Sequence, residues 1–171
     1  MQLIRCTQKL IKEMGLKKTD LSTSDPVFSY LGSWHANLLH IDSKKCILFV
    51  NDKTLFNFIA PNVKRYEIKN LSKLFNEHLI YALSSENLTD ETKEKIINEY
   101  NEIDISKTNS KKILGSMNDL AFHYKHHILS EGGIFNALIP VIINKLNHMP
   151  MGAISYKYAS DELKSMYENT I

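Results

Sequence analysis

Few residues of this chain combine chemical capability with a spacing that can gather them. Arg5 sits in the apolar run Leu3-Ile4-Arg5-Cys6. Trp34, His35 and Asn37 open a second such run, Asn51-Asp52 closes a third, and Ser116, Asn118 and Asp119 lie in a later helical stretch. A guanidinium supplies bidentate contacts to an anion, an indole supplies a stacking face, and side-chain amides fix orientation. On a strand, His35 and Asn37 project to the same face because they are two apart. Ser116, Asn118 and Asp119 are read as lying in the first turns of their helix, where free backbone N–H groups help hold an anion. The expected site is therefore a polar pocket of Arg5, Trp34, His35, Asn37, Asn51, Ser116, Asn118 and Asp119 for a small anionic ligand or a nucleotide fragment. The competing structural reading is that buried Asn and His hold loops through hydrogen bonds and Trp34 covers the core. A hydrolase or transferase with His35 as base and Asn118 or Asp119 positioning the substrate is the enzymatic alternative. Whether the chain is an enzyme is left open.

Other chemistry is less well supplied. Asp119, His123 and His127 have the i, i+4 spacing of a transition-metal site, but a third ligand from another element is missing and the glutamate base of the zincin motif is absent, so no metal centre is expected. A thiolate at Cys6, beside Arg5, or at Cys46 would need exposure, whereas both lie in apolar strands where free Cys is ordinarily a core residue. No GxSxG elbow, Walker loop or dinucleotide glycine fingerprint occurs, and no cofactor is called for. Lys9, Lys12, Lys17 and Lys18 gather near the N-terminus and Lys107, Lys111 and Lys112 precede the histidine segment. With Arg5 and Arg65 the only arginines, these lysines read as solvated surface rather than a base-reading patch.

These residues need a frame. Gln2 to Cys6 reads as a strand, Thr7 as the cap of a short helix ended by Gly15, and 17–29 as a loop. Trp34 to Ile41, a turn at Asp42-Ser43-Lys44, and Lys45 to Val50 form a hairpin. Thr54 to Ala60 is ambiguous, and the alternation through Val63 to Ile68 suggests another strand. From Asn70 the period becomes helical, Thr89 opens a second helix, and Ile103 to Ile105 makes a short strand. Lys112 to Leu129 is read as a helix stopped by Gly132-Gly133, followed by an apolar helix over 134–147 restarted at Pro140 and a helical tail over 161–168. The expected fold is α+β: a small mixed or mainly antiparallel sheet with a central hairpin, packed by helices, with a core domain over 1–129 and a helical extension over 130–171 packed on or beside it.

The whole chain bounds these readings. At 171 residues, 43% hydrophobic and 23% charged, it can bury a substantial core. A net charge of +2 argues against a bulk polyanion binder, so a nucleic-acid partner is not expected. No apolar run is long enough to span a bilayer and the first residues lack a signal-peptide core, so the expected setting is cytoplasmic with no membrane partner. The apolar helix over 134–147 offers a further role as a protein–protein interaction module, including homo-oligomerisation through the C-terminal helices.

Three collinear stretches, Ile4-Arg5-Cys6-Thr7-Gln8-Lys9-Leu10, Leu31 to Leu39 followed by Lys45 to Leu55, and Leu114-Gly115-Ser116-Met117-Asn118-Asp119, resemble a bacterial family of uncharacterised small proteins, a domain-of-unknown-function family. The resemblance implies a shared fold over roughly the first 120 residues and transfers no activity, substrate or cofactor. The segment after Phe122 departs from the shorter members.

Overall fold

The computed structural model describes residues 1–168. Its centre is a mixed five-stranded sheet in the order β4-β3-β2-β1-β5, formed by β1 (Gln2–Cys6), β2 (Trp34–Ile41), β3 (Lys44–Asn51), β4 (Asn57–Ala60) and β5 (Ile103–Lys107). β1 runs parallel to both β2 and β5, while β2, β3 and β4 are antiparallel neighbours. The fold is α+β.

Register decides which side chains can meet. Asn57, Val50, His35, Arg5 and Ser106 are cross-strand partners in one row, and the adjacent row holds Phe58, Phe49, Ala36 and Cys6. Because successive side chains alternate faces, Arg5, His35, Asn37 and Ser106 share one face, and Trp34 belongs to the other.

Helices cover both faces. On the Trp34 face lie α1 (Gln8–Met14), whose Glu13 pairs with Lys45 of β3, and α3 (Leu71–Ser84), whose Phe75 ring centroid is 5.2 Å from that of Trp34. Phe49, Phe58 and Tyr100 complete this aromatic cluster in edge-on and tilted geometries, arrangements that add about 0.5–1.5 kcal/mol per pair beyond burial. On the His35 face lie α5 (Lys111–Ser130) and α6 (Ile139–Asn147), tied to β4 by Tyr124 and Asn147, which both bond Asn57. α4 (Asp90–Asn98), the short pair β6 (Pro150–Met151) and β7 (Lys157–Tyr158), and α7 (Ala159–Tyr167) complete the chain. Ile134, Ile142, Leu146, Ala159 and Leu163 all enter the same hydrophobic core as the strands.

Local chemistry accounts for most boundaries. The Thr7 hydroxyl accepts from the Leu10 N–H to start α1, and Gly15, at φ +73°, takes the left-handed cap that ends it. Gly133, at φ +98°, must lack a side chain because a Cβ there would collide with the Asp42 carboxylate, which accepts from the Ile134 N–H. Pro140 lies in the first turn of α6, where its missing N–H costs nothing, so the helix starts just before it instead of running from Ile134.

The strand expected over Val63 to Ile68 is a helix instead, α2 (Arg65–Lys69). The Lys64 N–H donates to Glu67 Oε2 at 2.6 Å and the Glu67 N–H donates to the Lys64 carbonyl at 3.0 Å, which closes the first turn of the helix. Only Ile68 of this helix is buried. The alternation sets Val63, Arg65 and Glu67 against Lys64, Tyr66 and Ile68, so charges fall on both sides and neither makes an apolar strand face.

α7 is anchored through Ser160, whose hydroxyl donates to the buried Glu86 carboxylate at 3.0 Å. Burial raises the pKa of Glu86 despite that hydrogen bond. A carboxyl whose pKa is raised on folding favours the fold while protonated, and that contribution is lost as the pH rises through the folded-state pKa. Glu86→Gln is therefore expected to melt above the parent at pH 7. The advantage should vanish in melts below the ordinary glutamate pKa of about 4.3. An equal Tm difference at both pH values would remove the charge from the explanation.

Candidate functional site

Asn51 shows how the sequence builds the site. Its Oδ1 accepts from the Lys53 N–H, the Thr54 N–H and the Thr54 hydroxyl, while its Nδ2 donates to the carbonyls of Leu31 and Ser33. These bonds pin the turn after β3 against the strand entering β2. They leave Asn51 fully buried as a brace, with no free group to offer a ligand. The product of that bracing is the position of Asp52, whose own N–H donates to the Ser33 carbonyl at 3.1 Å.

Asp52 organises the charged residues of the His35 face. Its Oδ1 lies 2.6 Å from His35 Nδ1 and its Oδ2 lies 3.7 Å from Arg5 Nε. A carboxylate only accepts, so Nδ1 carries the hydrogen in this pair. Arg5 Nη1 also donates to the Ser106 hydroxyl at 3.5 Å, across the β1–β5 pairing. His35 is completely buried, whereas the Arg5 and Asp52 side chains keep 17% and 22% of their exposure. Two buried nitrogens, Arg5 Nε and His35 Nε2, have no hydrogen-bond partner. Most buried polar atoms are paired, so two orphans around one carboxylate mark an unusual place in the fold.

A pocket of about 230 Å³ opens beside this cluster, lined by Asp52, Lys53, Ser110, Lys112, Ile113 and Ile154. Its wall is the start of α5. Ser110 caps that helix by accepting from the Ile113 N–H at 3.2 Å, and its carbonyl takes the Leu114 N–H. By position, the N–H groups of Lys111 and Lys112 have no intrahelical acceptor, and the helix dipole adds positive potential there. Lys53 is already committed, donating to the carbonyls of Ser29 and Tyr30. Lys112 is exposed and, among the described residues, belongs to no ion pair.

The structure gathers some of the expected residues and scatters others. Arg5, His35 and Asn37 share a face, although Asn37 is taken up by the Thr7 hydroxyl, which donates to its Oδ1 at 2.8 Å. Trp34 does not join them, because it points to the opposite face and is fully enclosed. Ser116, Asn118 and Asp119 lie beyond the first turn of α5, which begins at Lys111, so their N–H groups are not free helix-end donors. Ser116 is buried, and Asn118 and Asp119 are exposed. Asp52, which the sequence marks only as the end of a strand, and Lys112, which reads as solvated surface, lie outside the expected pocket, and nothing in the sequence singles out Ser106. Asp52 carried a faint signal, as the neighbour of a flagged Asn at a strand end.

The remaining chemistries gain nothing. Among the described residues, no group of three or more His, Cys, Asp or Glu could hold a metal ion, and His123 and His127 have no third partner. Burial raises the pKa of both Cys6 and Cys46, which keeps them as thiols. No helix is long and apolar enough to cross a membrane among the described residues. Phe135 and Leu138, just before α6, and Val141, in its first turn, are exposed.

The family model of DUF6933, a domain of unknown function, matches residues 3–162. The match runs well past Phe122, so it takes in α5, α6 and the first four of the nine residues of α7, and these C-terminal helices are not a departure from the family as the resemblance had implied. No curated protein matches the chain.

Proposed function

We propose, for a chain that belongs to the DUF6933 family, a domain of unknown function, a role as a binding module for a small phosphorylated ligand bearing hydroxyl groups. One observation carries this reading: Asp52, held by His35 and charge-balanced by Arg5, lines a pocket together with Lys112 and the first turn of α5, where the Lys111 and Lys112 N–H groups have no intrahelical acceptor. A phosphate fits the helix end and the ammonium. A hydroxyl donor fits the carboxylate, which has accepting capacity left after His35. At 230 Å³ the pocket is smaller than the roughly 300–1,000 Å³ of drug-sized sites, which favours a phosphorylated fragment over a whole nucleotide.

Calorimetric titration of the full chain with ribose 5-phosphate tests the reading. Saturable binding is expected, weakened about fivefold or more in Lys112→Ala, a surface change that leaves folding intact. No heat at millimolar ligand, or equal affinity in the variant, would sink it. The enzymatic alternative draws support from the same Asp52–His35 pair, which has the orientation of a carboxylate holding a histidine base. It requires His35 Nε2 to reach substrate, whereas His35 has no exposed surface and is absent from the lining of this pocket.

A further inference from the structure

We infer a second ligand site, independent of the Asp52 pocket, in the crevice where β1 and β5 end, and its chemistry points to a mononucleotide. The two strands are parallel neighbours, and the chain leaves them in opposite directions. After Cys6 it enters α1 on the Trp34 face, and after Lys107 it enters α5 on the His35 face. Divergence of this kind at adjacent carboxyl ends opens a crevice in open sheets with parallel strands, and such crevices are where these sheets place ligands.

A cavity of about 480 Å³ occupies this position, within the size range of small-molecule sites. Ile11, Leu16 and Leu21 contribute apolar side chains to its lining, and Lys12, Lys18 and Lys107 line it as well. All three lysines are exposed, and none belongs to an ion pair among the described residues. Glu13, next to Lys12 in α1, pairs with Lys45. Lys107 is far from the other two in sequence, and only the β1–β5 pairing brings the groups to one opening.

Three uncompensated cations around one opening select a ligand with at least two negative charges, and lysines hold phosphate as point charges without bidentate geometry. The aliphatic wall selects a compact apolar body. The Gln8 side chain and the Thr108 hydroxyl, also at the lining, offer polar contacts to the edge of a base. A nucleoside monophosphate joins these properties in a volume the cavity can take. A lipid phosphate shares the head group but needs room for an acyl chain.

Titration of the full chain with AMP and UMP, with adenosine, inorganic phosphate and phosphatidate vesicles as comparison probes, decides the matter. At least one of the two nucleotides is expected to bind about tenfold more tightly than adenosine or inorganic phosphate, with affinity falling as salt rises. Lys12→Ala with Lys107→Ala should remove about tenfold or more of that affinity. Lys112→Ala should leave it unchanged, which separates this site from the Asp52 pocket. Absence of nucleotide binding at millimolar concentration overturns the inference. So does undiminished affinity in the double variant with its circular dichroism intact, equal affinity for inorganic phosphate in the Lys112→Ala chain, or a preference for the vesicles.

Discussion

Asn147→Ala is expected to destabilise the fold by about 3–5 kcal/mol. Asn147 is fully buried on α6, and its amide faces the backbone of β4 at the sheet edge. Its Oδ1 accepts from the Asn57 N–H at 2.9 Å and from Asn57 Nδ2 at 3.1 Å, and its Nδ2 donates to the Asn57 carbonyl at 2.7 Å and the Ile143 carbonyl at 2.9 Å. The side-chain amide therefore satisfies the outward N–H and C=O of Asn57 as a neighbouring strand would, and it covers the sheet edge at that residue. Alanine leaves the Asn57 N–H and C=O buried and unpaired, at about 1–3 kcal/mol each. The void left by the amide adds to that cost. Urea unfolding should show a lower midpoint with an unchanged m-value. Lys145→Ala, on the exposed side of the same helix, should stay within about 0.5 kcal/mol of the parent. A loss below about 1 kcal/mol for Asn147→Ala would mean that water takes over the amide's bonds.

What could be read from the sequence separates by the range of the interaction that decides it. The Thr7 and Thr89 caps, the Gly15 stop and the β2–β3 hairpin are local devices, and each lies where the sequence puts it. The 63–68 segment is helical for an equally local reason: with charges on both sides of the alternation neither strand face would be apolar, and Glu67 accepts from the Lys64 N–H at the helix start. Trp34 was misassigned although the rule needed was already in use. If His35 and Asn37 share a face, the residue between Ser33 and His35 must take the other, and an indole on a core strand has no reason to leave it. Ser106 is the opposite case. It meets Arg5 only because β5 pairs with β1 across about a hundred residues in one particular register, and no pattern within either strand specifies that pairing. The convergence of Lys12, Lys18 and Lys107 was hidden for the same reason. Two clusters read separately as solvated surface form one rim once β5 lies beside β1.

Asp52→Ala should cost about 2–4 kcal/mol and distinguish the two jobs assigned to this carboxylate. Without it, the His35 Nδ1–H is buried and unpaired, and the Arg5 guanidinium keeps only the 3.5 Å contact to Ser106. The partial exposure of Arg5 and Asp52 lets water offset part of the charge term, so the cost falls short of that for a fully enclosed pair. Asp52→Asn retains an acceptor for the His35 Nδ1–H and removes only the charge, so about half of the stability loss should return. Ligand binding should separate the roles in that folded variant. Inorganic phosphate, which meets the α5 N-terminus and Lys112, gains from losing a nearby negative charge and should bind as well or better. Ribose 5-phosphate loses a charged acceptor for its hydroxyls, so its advantage over inorganic phosphate should shrink about fivefold or more. If the advantage is unchanged in Asp52→Asn while stability falls as expected, Asp52 is a brace for Arg5 and His35 alone, and the hydroxyl-recognition half of the proposed function is wrong.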